Sequence, residues 1–449
     1  MSKNYKNINQ IENRDYRVLA VKLLYKVIYE GAFSNLALDQ ELRRTKFSNE
    51  ERARTTALFY GSLSRYKLLI AISSKISSRN IGGLDNIVIC ILITALYELF
   101  FMHTAIYACV NEFVNICKFF KVRSASSLIN AILRKASCFS DDIESLAKDL
   151  SPEFRYSIDK NLYKDLVISM GENTCKEFLL RAYKSAPMSF RFRGSEIEYE
   201  NYLKKHSHVF KPSLISSDFL VLQAPFSEIP KEDIFKTLMP QGELAGLAVK
   251  VLDPQPCEAI GDFCAAPGNK SLQIQDYRNG DGELFCYDVH QSRVNLIVRR
   301  FEEAGEVENI GTKVFPTKRD MRENINQSFD RILLDVPCSS YGMLTHKPEL
   351  RYKYDKDSLS ELFGIQSDLL ESAAKSLRSG GVLVYSTCTL RIEENEMQVR
   401  KFLEKHPEFS LFPFEDPRLC SKKHESAFLS LLPDEKSAEG FFIARMKRN

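Results

Sequence analysis

Gly261-Asp262-Phe263-Cys264-Ala265-Ala266-Pro267-Gly268-Asn269-Lys270-Ser271 decides the fold of this 449-residue chain. It follows a short apolar run, Ala259–Cys264, and opens a helical pattern. Small residues and one glycine let a backbone come close to a ligand at the carboxyl end of a strand. The stretch is neither G-x-G-x-x-G nor a Walker A loop. A tight strand-to-helix turn would use similar residues, so its meaning depends on its flanks.

Downstream, apolar runs at Glu283–Tyr287, Arg331–Leu334 and Val382–Tyr385 alternate with helical patterns at Ser292–Ala304 and Leu359–Leu377. That alternation predicts a parallel, doubly wound α/β sheet of Rossmann-like type. Asp288 closes the second strand, twenty residues after Gly268. An acidic residue at that distance suits the ribose hydroxyls of an adenosine cofactor: NAD, FAD or S-adenosylmethionine. Asp320, in T-K-R-D-M after the third strand, is a candidate contact for an adenine amino group, with a surface carboxylate as the alternative.

Two more strands deliver reactive side chains. L-L-D-V-P-C-S-S (333–340) carries Asp335 and Cys338, and L-V-Y-S-T-C (383–388) carries Cys388. One strand-end cysteine would read as a buried, inert thiol. Two, with an aspartate and beside a cofactor turn, point to covalent chemistry.

Upstream, residues 1–140 read as an all-helical bundle without proline. Val18 to Ile28 follow helical spacing up to Gly31, and Ser48 with Glu51 forms a capping box. The apolar stretch from Ile87 is interrupted by Glu98, too early for a membrane span, and reads as a buried core helix. Residues 141–240 hold several prolines and the short alternating segments Met188–Phe192 and Phe219–Leu222, which predict a small α+β domain. The α/β texture runs over 241–449.

Net charge is +3, but 1–140 hold 20 basic against 10 acidic residues and the remainder 42 against 49. A basic first third suggests a module that grips a polyanion, a solvated basic face being the bland alternative. The eleven cysteines include no C-x-x-C pair, so neither a disulfide framework nor a zinc ribbon is signalled, and no metal is expected. The opening residues lack an apolar signal core, and a cytoplasmic monomer is expected.

These motifs together resemble the RsmB/Sun-type ribosomal RNA (cytosine-5) methyltransferases. The family's C-A-A-P-G-G-K loop is matched by Cys264, Ala265, Ala266, Pro267, Gly268, Asn269 and Lys270, with Asn269 in place of the second glycine. Its D-A-P-C motif is matched by Asp335-Val336-Pro337-Cys338. Its T-C motif is matched by Thr387-Cys388, followed by Glu393-Glu394-Asn395, and its closing D-G-F-F by Glu439-Gly440-Phe441-Phe442. Ala108–Lys118 and Leu128–Lys135 resemble the NusB RNA-binding fold carried by the subgroup that acts on small-subunit (16S) ribosomal RNA. Two segments depart from the pattern: Pro240–Leu244, and His346–Tyr352 in a chain without tryptophan.

The resemblance implies S-adenosylmethionine as cofactor, with Cys388 as nucleophile on cytosine C6 and Cys338 resolving the adduct. It implies Asp335 at the cytosine N3/N4 edge, and the 264–270 loop, Asp288, Asp320 and Asp335 around the cofactor. Lys270 is expected to favour the thiolate through its positive charge. The target base must be unpaired or extruded to reach a thiol. A transfer RNA cytosine-5 methyltransferase shares the chemistry but not the NusB-like domain. A DNA enzyme would use the P-C cysteine and have no use for the T-C motif. A non-catalytic RNA-binding assembly factor would not need both cysteines and Asp335. An NAD oxidoreductase leaves the cysteines unexplained.

Overall fold

In the computed structural model, which describes residues 15–139, 142–184, 186–279, 281–306, 313–318, 327–416, 418, 425–433, 437 and 439–449, the chain divides into two units. One comprises Met1–Lys184 and Leu344–Tyr354, the other Ser185–Met343 and Asp355–Asn449. Residues 141–240, expected as one small domain, are thus shared between the units.

The first unit is helical: α1 (Tyr16–Glu30), α2 (Ser34–Arg43), α3 (Asn49–Ser64), α4 (Tyr66–Ser77), α5 (Asn86–Phe101), α6 (Ile106–Phe119) and α7 (Ser126–Ala136), followed by further helices up to Arg181. The Asp15 side chain accepts from the Arg17 N–H at the start of α1. Gly31 ends α1 with φ +75°, a left-handed conformation that costs glycine little. Ser48 and Glu51 form the expected capping box on α3.

Helix α5 is buried on nearly every side. Its one charge, Glu98, is fully buried and accepts two bonds from Arg17 Nε at 2.8 and 3.1 Å and one from Arg17 Nη2 at 2.7 Å. Tyr16 and Thr104 hydroxyls complete its shell, so α1 supplies the counter-charge that lets an apolar helix keep a carboxylate. Among the described residues, no helix is long and apolar enough to cross a membrane.

Residues 344–354 were expected within the 241–449 domain, and here they belong to the helical unit. Glu349 accepts from the Ser34 N–H and hydroxyl. Arg351 is fully buried and donates to the carbonyls of Tyr156 (2.9 Å) and Leu179 (3.2 Å). The Tyr352 hydroxyl donates to Leu63 O at 2.6 Å.

The second unit holds two sheets that position the site. The smaller is antiparallel: β1 (Ser189–Phe192), β2 (Phe210–Pro212), β3 (Phe219–Leu222) and β4 (Leu238–Pro240), in the order β2-β3-β1-β4. Arg191 and Arg193 reach from this sheet to Asp276 on the helix Asn269–Tyr277, at 2.6 and 2.8 Å.

The larger sheet contains β5 (Ala259–Phe263), β6 (Glu283–Asp288), β7 (Lys313–Lys318), β8 (Phe329–Asp335) and β9 (Leu377–Thr387), all parallel. After β9 come β10 (Phe409–Leu411), β11 (Phe414–Glu415), β12 (Glu425–Ser426), β13 (Phe428–Leu431) and β14 (Phe441–Arg448). Among the described residues the order is β10-β14-β9-β8-β5-β6-β7, with β13 also on β14. Strand β14 runs antiparallel to β9.

Leu333, Val382 and Val384 pack on one face, and Ile332, Leu334 and Leu383 on the other. Both faces are covered, which is why these strands read as continuous apolar runs. Because β5, β6, β8 and β9 are parallel, the residues just beyond Phe263, Asp288, Asp335 and Thr387 share one edge of the sheet.

Candidate active site

The glycine-loop stretch leaves β5 through Cys264, at φ +63°, and a cis Ala266–Pro267 bond. Gly268 then adopts φ +105°, which glycine tolerates and other residues rarely do. A Cβ there would also lie 3.3 Å from the Ile297 Cα. The next helix begins at Asn269, so its first free N–H groups face the loop.

Two backbone donors tie the loop to β6. Ala265 N–H bonds Tyr287 O at 2.9 Å, and Ala266 N–H bonds Asp288 Oδ2 at 3.2 Å. Asp288 is nearly buried, and its Oδ1 accepts from Val289 N–H and pairs with Arg293 Nε at 2.8 Å. Asn269, which replaces a glycine, donates its Nδ2 to Pro240 O at 2.8 Å. It thereby links the loop to β4 and to the departing Pro240–Leu244 segment. Asp320 lies outside the described residues.

Asp335 stands at the end of β8. Its Oδ2 pairs with Lys270 Nζ at 2.7 Å, and its Oδ1 accepts from Ser386 Oγ at 2.7 Å. Burial opposes the Lys270 ammonium, but the adjacent Asp335 carboxylate outweighs it, and the pKa lies above the ordinary lysine value. The lysine expected to act on a thiol is therefore bonded to Asp335. Behind it, Asp262 is buried and accepts from Ser271 Oγ. Burial pushes the Asp262 carboxyl up to about 7.

Cys338 and Cys388 come together, with Sγ atoms 3.3 Å apart. Cys388 Sγ also lies 3.3 Å from Ser340 Oγ. The bond to Cys388, then burial, raise the Cys338 pKa far above that of a free thiol, so Cys338 stays protonated. Burial also raises Cys264, which keeps that loop residue a neutral thiol.

The Cys388 backbone is locked as well: its carbonyl accepts from Gly342 N–H at 3.0 Å, and Gly342 O accepts from Gly440 N–H at 2.9 Å. A Cβ on Gly342 would lie 2.1 Å from Gly440 O. The glycine of Glu439-Gly440-Phe441-Phe442 thus seats the loop beneath the thiol.

Sequence reasoning missed several side chains here. Ser340, Ser386 and Ser339 adjoin the motifs and could have been found by asking what holds the cysteines. Glu394 was quoted in a motif but given no role. Gln366 has no sequence signal, since it looks like any polar residue of the helix Lys356–Ser376.

A mostly parallel sheet of this order, with a glycine-bearing loop after its central strand and an acidic residue ending the next, defines a methyltransferase of the S-adenosylmethionine-dependent fold. Residues 249–447 match the family model for the 16S rRNA methyltransferase RsmB/F, and residues 14–137 match that of the NusB family. The ribosomal RNA small subunit methyltransferase B of Vibrio cholerae is 28% identical over 443 residues, spanning 96% of this chain and 97% of its own.

Among solved structures, PH0851 is similar over 100% of both chains at 23% identity, with a TM-score of 0.73. NSun6 from Pyrococcus horikoshii, solved with SFG, covers 65% of this chain and 98% of its own at 20% identity, with a TM-score of 0.52. These two likenesses are of fold. Residues 249–447 thus carry a methyltransferase domain of the RsmB/F type, preceded in the chain by a NusB-family domain over residues 14–137.

Proposed function

We propose that the protein methylates C5 of a cytosine in 16S ribosomal RNA through a covalent bond between Cys388 and C6. The observation that carries this reading is the pair of sulfurs, 3.3 Å apart, beside the Lys270–Asp335 pair. The cofactor reading draws support from Gly268, whose φ of +105° side-chain-bearing residues rarely adopt, and from Asp288 beside the loop. NSun6 was solved with SFG, an analogue of S-adenosylmethionine. The 264–268 backbone and Asp288 would hold S-adenosylmethionine, which supplies an electrophilic methyl group.

The chain's own residues do the rest. Cys388, as thiolate, adds to C6 and turns C5 into an enamine-like nucleophile. Asp335 accepts from the cytosine N3/N4 edge, which keeps the adduct protonated, and Lys270 holds that carboxylate in place. Once C5 is methylated, its proton is lost, the C5–C6 double bond re-forms and Cys388 leaves with the bonding pair. Cys338 assists that departure. The cytosine must be unpaired or flipped out for C6 to reach Cys388.

On the helical unit, Arg79 and Lys135 line a pocket with Ser77 and Ser127, an arrangement suited to RNA phosphates. Bisulfite sequencing of 16S ribosomal RNA from cells with and without the gene tests the assignment. One protected cytosine should lose its protection in the deletion strain. An unchanged pattern refutes the reading.

A further inference from the structure

The loop that carries Cys338 rests on a buried carboxylate that the chemistry above does not use. Glu394 is fully buried. Its Oε1 accepts from Ser339 Oγ at 2.5 Å, and its Oε2 accepts from Ser339 N–H at 2.9 Å and from Gln366 Nε2 at 3.1 Å. The same Gln366 amide donates to Pro337 O at 3.0 Å. The residues on both sides of Cys338 are therefore fixed by one carboxylate and its amide partner. Gln366 is itself held by Gln398, and the Glu394 carbonyl by the Tyr385 hydroxyl on β9.

The other thiol has anchors of its own, linked to the first set through the Ser339 and Thr389 hydroxyls, 2.8 Å apart. Asn395 accepts from Thr387 Oγ1 and donates to Thr389 O, bracketing Cys388, while Gly342 holds the Cys388 carbonyl. Neighbouring residues thus divide the two cysteines between them, Glu394 serving Cys338 and Asn395 serving Cys388. A buried carboxylate accepting three hydrogen bonds is geometrically strict, and removing it takes away the acceptor of the Ser339 N–H and one of the two acceptors of the Gln366 amide.

We infer that Glu394 is a positioning residue that aims the Cys338 thiol at the Cys388 sulfur for release of the methylated RNA. The inference rests on the covalent reading above. In the release step the C5 proton passes to water, the C5–H electrons become the C5–C6 double bond, and the C6–S bond breaks. The electron pair of that bond goes to Cys388 Sγ, and the Cys338 S–H donates to that sulfur as charge develops on it. The negative Glu394 carboxylate adds to the forces that keep Cys338 protonated for this purpose. Because Cys388 is held by other contacts, loss of Glu394 should spare addition and methyl transfer and impair release.

The test compares the full-length wild type with Glu394→Ala, Glu394→Gln, Ser339→Ala, Cys338→Ala and Cys388→Ser on 16S ribosomal RNA with S-adenosylmethionine. Three quantities are read: single-turnover methyl transfer, multiple-turnover kcat, and RNA-linked protein on a denaturing gel. Glu394→Ala should lower kcat about tenfold or more, keep single-turnover transfer within about threefold, and accumulate the RNA-linked band, as Cys338→Ala should. Glu394→Gln, which keeps an acceptor for Ser339, should recover much of the turnover.

Release at the wild-type rate by Glu394→Ala overturns the inference. So does an equal loss of methyl transfer and release, which marks a merely structural role. If Glu394→Ala does not fold, Ser339→Ala decides by the same readouts, since it removes the hydroxyl contacts to Glu394 and Thr389 and leaves the backbone bond. Full turnover by Cys388→Ser refutes the covalent reading itself, normal release by Cys338→Ala refutes the release role of that thiol and with it the positioning role, and failure confined to the Glu394 and Ser339 variants refutes only the positioning role.

Discussion

The sulfurs of Cys338 and Cys388 lie 3.3 Å apart although fifty residues separate them in the chain. Strands β8 and β9 account for this. They are parallel neighbours in the register Asp335↔Ser386, so each loop leaves the sheet at the same level. A slip of one residue would turn Asp335 to the opposite face and break its bond to Ser386.

Cys388→Ser should abolish methyl transfer and leave cofactor affinity nearly unchanged. A hydroxyl is a far weaker nucleophile than a thiolate near neutral pH. Transfer of labelled methyl groups measures the first effect, and calorimetric titration with S-adenosylmethionine the second.

Asp288→Ala should weaken S-adenosylmethionine binding by roughly 1.5–3 kcal/mol, the range for hydrogen bonds to charged groups. That is about 10- to 150-fold in Kd. The substitution also frees Ala266 N–H and Val289 N–H, so some of the loss reflects a looser loop. Titration of the variant checks the size, and unchanged affinity would remove Asp288 from the cofactor site.

Gly342→Ala should damage both stability and activity. The new Cβ would fall 2.1 Å from Gly440 O and 2.8 Å from the Cys388 carbonyl, both backbone atoms that cannot simply rotate away. Overpacking of this kind costs about 1–3 kcal/mol. Thermal unfolding reads the first effect, and methyl transfer the displacement of Cys388.

Asp262 makes stability depend on pH. Burial raises its folded-state pKa to about 7, against about 3.9 in an unfolded chain. Its contribution is therefore fully present below the unfolded value and is lost as pH rises through about 7, at up to about 1.4 kcal/mol per pH unit. Denaturant unfolding at pH 5 and pH 8 should show the wild type losing stability relative to Asp262→Asn. A constant difference between the two would show that Asp262 does not titrate in this range.

Removal of residues 1–140 should expose the 344–354 segment. Ser34 and Leu63, which receive Glu349 and Tyr352, are among the deleted residues. Limited trypsin digestion should then cut at Arg351 or Lys353, where the full-length protein resists. If the basic helical unit grips RNA phosphates, the truncated protein should also show a shallower salt dependence of RNA binding than the full-length protein, which filter binding across a salt series measures.

What the amino-acid sequence determined by itself is local. The turn at 261–271, the capping box at Ser48 and Glu51, the buried helix around Glu98 and the apolar strands each follow from neighbouring residues whose propensities agree. The motifs that place Asp335, Cys338 and Cys388 at strand ends were legible for the same reason. Three things were decided only by tertiary structure: the pairing of Lys270 with Asp335, the support of Cys338 by Glu394 and Gln366, and the incorporation of 344–354 into the helical unit. Each joins residues from distant parts of the chain, and no local periodicity records which strands become neighbours. Strand order and register bring those side chains within hydrogen-bond distance, and burial then makes the contacts strict, because a polar group shut away from water must find its partner inside the fold.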